Sequence, residues 1–167
     1  MRVSRLSVVV AAVVSAVVVV VGSEGAAVAG AGGAAAGGGG HEVDLAFHGD
    51  VTLRAGVVRV RFVPRNHGPS DLADATVRLR WSLPLVGVRR LPVGCLRSGG
   101  GGVLCRTGAL EAGSLGEPVE IAARVAGRPA EVRVRIGTEW SGGAVDRNPR
   151  NNEQSVLALD TGDVYYF

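Results

Sequence analysis

The chain has 167 residues, 47% of them hydrophobic and only 4% aromatic, with a formal net charge of +3 at pH 7. All 18 cationic residues are Arg, and the charge is too small for the strongly basic class of nucleic-acid-binding proteins, which clusters Lys and Arg among stacking aromatics. We therefore expect no nucleic-acid partner. Residues 41–160 have the usual size of one domain.

Residues 1–29 have the pattern of a signal peptide. Arg2 and Arg5 give a positive start, residues 8–21 are apolar except for Ser15, and residues 27–29 have the small-x-small form of a cleavage site. This apolar run is shorter than the roughly 20 residues that span a bilayer. We expect export and cleavage after Ala29 or Ala36, with no membrane anchor left, and an uncleaved anchor is the alternative. Residues 30–40 contain only Gly and Ala and are predicted to be a flexible linker.

From residue 41 onwards, apolar residues alternate with polar ones at a spacing of two, which is typical of half-buried strands. The pattern is clearest in residues 58–62, 77–81 and 132–136, where Arg alternates with Val, Leu, Ile, Phe or Trp. Weaker candidate strands are residues 43–47, 51–53, 103–106, 119–125 and 155–159. Turns rich in Gly, Pro, Asn and Asp separate these segments. The sequence therefore predicts an all-β, two-sheet Greek-key sandwich of seven to eight strands over residues 41–160.

Four motifs carry a resemblance to a known family. They are the Val-Pro-Arg-Asn-His-Gly-Pro-Ser segment at 63–70, Leu-Pro at 83–84, Gly-Ala-Leu-Glu-Ala-Gly at 108–113, and Asp-Arg-Asn-Pro-Arg-Asn-Asn at 146–152. In combination they resemble the bacterial repeat called domain of unknown function 11, over about residues 43–159 in a single copy. The resemblance implies an immunoglobulin-like sandwich of secreted or cell-wall proteins, and no established catalytic residues. The chain differs from that family in its four-glycine insert, residues 99–102.

The residues of strongest local character are interpreted as structural. Asx turns and backbone-fixing residues are expected at Asn66, Gly68, Pro69, Ser70, Asp146, Asn148, Pro149, Asn151 and Asn152. His67, Ser70 and Asp71 are consecutive turn residues, and such residues do not form a catalytic relay. The loop at 146–152 departs from the EF-hand spacing, although a weak calcium loop stays open. We predict no catalytic residue, no metal and no cofactor.

Cys95 and Cys105 are the only cysteines. Export places them in an oxidising compartment, so a disulfide is the expected state. On the chain-entropy model it stabilises the fold by about 2.7 kcal/mol. Zinc is the alternative, but it requires four ligands, and no Cys-x-x-Cys or nearby His pair is present.

Six arginines are predicted to point outward from three strands: Arg59, Arg61, Arg78, Arg80, Arg133 and Arg135. If two of these strands are neighbours, the arginines form a ladder suited to an anionic polymer such as a wall phosphate glycan. The alternative is an ordinary solvated surface on which Glu120, Glu131 and Glu139 pair with them.

Trp81 and Trp140 are in phase with apolar strand residues, so both are expected to pack in the core, which leaves no exposed Trp platform for sugars. The tail 161–167 contains three aromatics. It is expected either to pack as an edge strand or to stay exposed as a partner-binding segment.

The sequence thus predicts a secreted or cell-wall-associated, noncatalytic immunoglobulin-like module with a structural or binding role at the cell envelope. Its partner is expected to be a cell-wall polymer or an extracellular protein. The alternative is a soluble protein-binding or inhibitor-like effector that presents the Cys95 to Cys105 hairpin.

Overall fold

The computed structural model describes residues 41–88 and 91–167; the predicted signal peptide and linker lie outside them. Within these residues the chain forms twelve strands, and a 3₁₀ turn, Gly99–Gly101, joins β6 to β7. The strands are β1 (Glu42–Val43), β2 (Leu45–Arg54), β3 (Val57–Asn66), β4 (Thr76–Trp81), β5 (Leu85–Val88), β6 (Cys95–Ser98), β7 (Gly102–Arg106), β8 (Val119–Val125), β9 (Glu131–Trp140), β10 (Val145–Asp146), β11 (Gln154–Leu159) and β12 (Val164–Tyr166).

Ten of the strands form two antiparallel sheets that pack face to face. The first sheet has the order β12-β2-β3-β8-β5, and the second has the order β11-β9-β4-β7-β6. The chain crosses between sheets from β3 to β4 and again from β8 to β9, and β8 lies beside β3 as β9 lies beside β4. Interlocked crossings of this kind define a Greek key. The predicted all-β immunoglobulin-like sandwich is confirmed.

The strand count exceeds the predicted seven to eight because several strands are too short to show alternation. Residues 43–47 and 51–53 were predicted as separate strands, but residues 45–54 form the continuous strand β2. The short strands β1, β5, β6, β10 and β12 have two to four residues each. Strands β1 and β10 pair in parallel outside both sheets.

The core is built from the inward residues of both sheets. In β3, Val58, Val60 and Phe62 are buried while Arg59 and Arg61 between them are exposed. The same alternation holds over residues 77–80 of β4 and 132–136 of β9.

Two clusters make up this core. In the larger, the rings of Phe47 and Phe62 meet edge to face with centroids 6.1 Å apart. A smaller one, at the end of the sandwich where β1 lies, contains Val43, Leu45, Leu72, Ala75 and Leu110. Both clusters lie inside the compact unit Gly38–Phe167, so this segment has a complete core of its own.

The prediction that Trp140 packs in the core is wrong. Its residue surface is 52% exposed, because the register between β4 and β9 shifts near the end of the strand. Val77 pairs with Thr138, but Thr76 pairs with Trp140, so Glu139 is an extra residue in a β-bulge. The bulge turns Trp140 to the outer face with Thr76. Trp81, by contrast, packs against the core.

The aromatic tail lies in the first sheet as its edge strand. Val164–Tyr166 pairs antiparallel with β2, and beyond it the backbone groups of Phe167 and Gly49 exchange hydrogen bonds of 3.0 and 3.1 Å. Tyr165 and Phe167 pack against the core, whereas Tyr166 is 80% exposed. The sheet therefore extends through the tail.

Candidate functional site

The first turn motif is held by the buried side chain of Asn66. Its Nδ2 donates hydrogen bonds to the carbonyl oxygens of Ser70 (2.8 Å) and Leu110 (3.3 Å), and its Oδ1 accepts one from the N–H of Gly68 (3.0 Å). A Cβ at Gly68 would lie 2.5 Å from the Cα of Val43, so only glycine fits there. Pro69 is exposed beside it. The hydrogen bonds of Asn66 and the close approach at Gly68 thus fix the path of the chain through this turn.

The second turn motif ties the last crossing loop to the start of the first sheet. Asp146 accepts hydrogen bonds from the N–H of Asn148 (2.9 Å), which forms an Asx turn, and from Nδ2 of Asn152 (2.7 Å). Nδ2 of Asn151 donates to Asp44 (2.6 Å). Both side-chain oxygens of Asp146 and Oδ1 of Asp44 thus accept hydrogen bonds from N–H donors. In the part of the chain that the structure describes, no three His, Cys, Asp or Glu side chains converge as a metal site requires.

Exposed Pro149 follows Asn148 in the same turn. The nine predicted turn residues therefore lie in two turns, each next to the β1 region and each anchored to it by side-chain or backbone hydrogen bonds.

The predicted disulfide is present. Cys95 and Cys105 are bonded at directly paired positions of β6 and β7, with Cα atoms 4.0 Å apart, and no cysteine is free. Strand β6 is the edge strand of the second sheet and has only four residues, so few backbone hydrogen bonds hold it there. The disulfide attaches it covalently to its neighbour β7.

The structure brings four of the six predicted arginines together and separates two. Strands β4 and β9 are neighbours in the second sheet, where Arg80 pairs directly with Arg135 and Arg78 lies opposite Gly137. Arg133 lies one step further along the same face. Strand β3 belongs to the first sheet, so Arg59 and Arg61 lie on the opposite outer surface of the sandwich.

We name the outer surface formed by Arg78, Arg80, Arg133 and Arg135 the Arg80 face. On it, Arg78 forms an ion pair with Glu139. Among the described residues no carboxylate lies within 4.0 Å of the guanidinium groups of the other three. Directly opposed like charges repel, so the Arg80 and Arg135 pair is destabilising unless an anion lies between them.

Two open grooves run along the Arg80 face. One, of about 540 Å³, is bordered by Arg78, Arg80 and Arg135, with Gly137 and Ser155 beside them. Two acidic residues, Glu139 and Glu153, also line it. The other, of about 290 Å³, lies between Arg80 and Arg133 over Ser82. Gly137 was not identified from the sequence. This residue leaves space in the groove because it has no side chain, and an alternation of apolar and polar side chains gives no signal for that.

The alternative of neutralised arginines applies to two of the six. Arg61 pairs with Glu120 at 3.2 Å, and Arg78 pairs with Glu139. The exposed Glu131 forms no ion pair with an Arg of the described residues.

Comparisons with known proteins identify no family for this chain. No family model matches the chain, and no curated protein matches it at a significant level. A solved structure, β-glucosidase 3B from Thermotoga neapolitana in complex with α-D-glucose, is similar over 75% of this chain at 15% identity and a TM-score of 0.42. This chain spans 17% of that protein's length, and a likeness at this level supports no inference about activity.

None of the elements in residues 41–88 and 91–167 is a helix of the length and apolar character needed to cross a membrane. The disulfide is consistent with an extracellular location.

Proposed function

We propose that this protein is a secreted, noncatalytic immunoglobulin-like module of the cell envelope that holds an anionic polymer, such as a wall phosphate glycan, on its Arg80 face. The observation that supports the proposal is the direct pairing of Arg80 with Arg135 without a carboxylate in ion-pair range. The signal-peptide pattern of residues 1–29 and the disulfide support export. The resemblance to domain of unknown function 11 supports a place at the envelope.

Arginine chemistry fits this ligand class. A guanidinium group presents parallel N–H donors that match two oxygens of one phosphate, and it keeps its charge at every physiological pH. The larger groove on the Arg80 face is open to solvent, whereas sites for small molecules usually enclose most of their ligand. An extended chain of repeated anionic groups fits an open surface of this kind.

A binding role is favoured over catalysis because the polar residues of the turns form hydrogen bonds that hold the turns in place. His67 is exposed and its backbone N–H donates to the carbonyl of Asp44 at 2.7 Å, while Asn66 and Asp146 are committed to turn hydrogen bonds. Of the other two residues that resemble a hydrolase triad in the sequence, Ser70 donates its backbone N–H to the carbonyl of Glu42 at 3.2 Å, and the Asp71 carboxylate accepts from the N–H of Ala112 at 2.8 Å.

The test is co-sedimentation of segment 38–167 with native cell walls at low and high salt. The double variant Arg80→Ala, Arg135→Ala should weaken binding about 5- to 30-fold, from about 1 kcal/mol or less for each lost exposed charge contact. Arg61→Ala is the matched control, because Arg61 is neutralised by Glu120 and lies on the other sheet. Wild-type pelleting should decrease as salt rises. Equal pelleting of the double variant and the control contradicts the proposal.

The second candidate function is a soluble effector that presents the hairpin of β6 and β7 to a protein partner. It is favoured by the exposure of Val93 (104%) and Leu96 (57%) at this free sheet edge. An edge strand offers unpaired backbone groups to which an extended segment of another protein adds as a further strand. Fractionation of cultures separates the candidates: an effector stays in the medium, and Leu96→Asp then abolishes its partner binding.

A further inference from the structure

A second basic groove lies on the outer surface of the first sheet, on the side of the sandwich opposite the Arg80 face. It has a volume of about 660 Å³ and is bordered by Arg54 of β2, Arg59 of β3 and Arg124 of β8. Arg54 and Arg124 both pair with Val57, from its two sides, and Arg59 follows two residues along the same face of β3. Three guanidinium groups from three neighbouring strands therefore surround one depression, which we name the Arg59 groove.

The neighbours of Arg59 leave its charge uncompensated. Its partners on the adjacent strands are Thr52 and Ala122. The partners of Arg61, two residues further along β3, are Asp50 and Glu120, and Glu120 forms a 3.2 Å ion pair with it. Two arginines on the same face of one strand thus have different partners: those of Arg59 are neutral, and those of Arg61 are acidic.

The lining of the Arg59 groove contains no carboxylate, and Arg54, Arg59 and Arg124 form no ion pair within the described residues. Acidic residues lie outside this lining. Asp50 and Glu120 pair with Arg61, two residues further along β3, and two more acidic residues lie in the turn after β11. Asp160 accepts a hydrogen bond from the N–H of Ala55 at 2.5 Å, and Asp163 accepts one from the hydroxyl of Thr161 at 2.7 Å.

Small residues give the groove its depth. Gly87 has open space where a Cβ would be, and Ala122 lies between Arg59 and the edge strand β5. Thr52 adds a hydroxyl beside the guanidinium groups. Basic walls above a small-residue floor suit a phosphate group whose oxygens accept hydrogen bonds from two or three arginines.

We propose that the Arg59 groove is a second site for a phosphate-bearing polymer, so that one molecule holds two polymer chains on opposite faces and links them. The linking role rests on the proposed function, whereas phosphate binding by the groove itself does not.

The binding test is an amide NMR titration of segment 38–167 with inorganic tripolyphosphate. Saturable shifts are expected for the amides of Thr52, Arg59 and Ala122. Arg59→Ala should weaken this binding about five-fold, the upper range for one exposed charge pair, and Arg61→Ala should change it less than about two-fold. Both side chains are exposed, so both variants are expected to fold, and unchanged amide spectra away from residue 59 or 61 verify this. Equal effects of the two variants, or no shifts in the groove, overturn the inference.

The linking test is light scattering of long-chain polyphosphate mixed with the protein. The wild type should raise the scattering. The double variant Arg59→Ala, Arg124→Ala should abolish the rise, and so should the double variant Arg80→Ala, Arg135→Ala. Scattering that survives removal of either face overturns the linking role. In the NMR titration, shifts confined to the Arg80 face overturn the inference alone, and shifts confined to the Arg59 groove overturn the role proposed for the Arg80 face alone.

Discussion

Replacing Asn66 with Ala should destabilise the fold strongly, because the Asn66 side chain joins several segments of the first turn motif. The Asn66 side chain is completely buried and takes part in five hydrogen bonds. They join it to Ser70 O, Leu110 O, Glu111 O, Gly68 N and Asp44 N, at 2.8, 3.3, 3.5, 3.0 and 3.4 Å. A typical net contribution is about 1 kcal/mol for each, and the two longest bonds contribute less. We expect the free energy of unfolding to fall by about 3 kcal/mol.

The loss is measured by urea denaturation of segment 38–167 without reductant. With an m-value of about 2 kcal/mol per M, the midpoint should fall by about 1.5 M urea with no change in slope. Asn148→Ala is the matched control, because Asn148 is exposed and uses only its backbone in the turn hydrogen bonds. It should change stability by less than about 0.5 kcal/mol. A loss below about 1 kcal/mol for Asn66→Ala, or equal losses for both variants, refutes the assignment of Asn66 as the centre of the turn.

Three further predictions concern the crosslink, the first turn and the tail. Cys95→Ser, combined with the same change of its disulfide partner, should lower the free energy of unfolding by about 2.7 kcal/mol and remove the effect of reductant on Tm; a variant Tm that still responds to reductant contradicts this. Gly68→Ala should lower the free energy of unfolding by more than about 2 kcal/mol, because the added Cβ meets backbone atoms. Gly99→Ala, whose added Cβ meets open space, should change it by less than about 0.5 kcal/mol in the same urea assay. Tyr165→Ala should cost about 1–3 kcal/mol in thermal unfolding, whereas its neighbour Tyr166→Ala should be near neutral because that side chain is exposed; equal Tm losses exclude tail packing as described.

Local alternation was sufficient to predict which residues of the long strands face inward. Val58, Val60 and Phe62 are buried as expected, because a pleated strand necessarily sends successive side chains to opposite faces. The prediction failed for Trp140, because one extra residue in a bulge reverses the alternation and depends on pairing with β4, more than 60 residues earlier in the chain. The short strands β5, β6 and β10 were missed for a related reason, since their positions are set by their partners.

The candidate site could be predicted only in part from the sequence. Alternation shows that six arginines point outward, but it does not show which sheet each strand joins. That assignment depends on long-range pairing, which places β4 beside β9 and places β3 in the other sheet. Arg54 and Arg124 were missed because neither belongs to an obvious Arg–Val repeat, and they meet only through their common partner Val57.

The charge of the neighbouring residues, more than the number of arginines, separates the proposed binding surfaces from the rest of the sandwich. Arg59 and Arg61 share a strand, a face and high exposure, yet the adjacent strands give Arg61 two acidic partners and give Arg59 none. An exposed ion pair contributes about 1 kcal/mol or less, so the fold has little need of compensation at Arg59, and the uncompensated charge persists at little cost to stability. A net charge of only +3 is therefore compatible with the two proposed binding faces, because no acidic residue pairs directly with Arg59 or Arg80 on an adjacent strand or forms an ion pair with either.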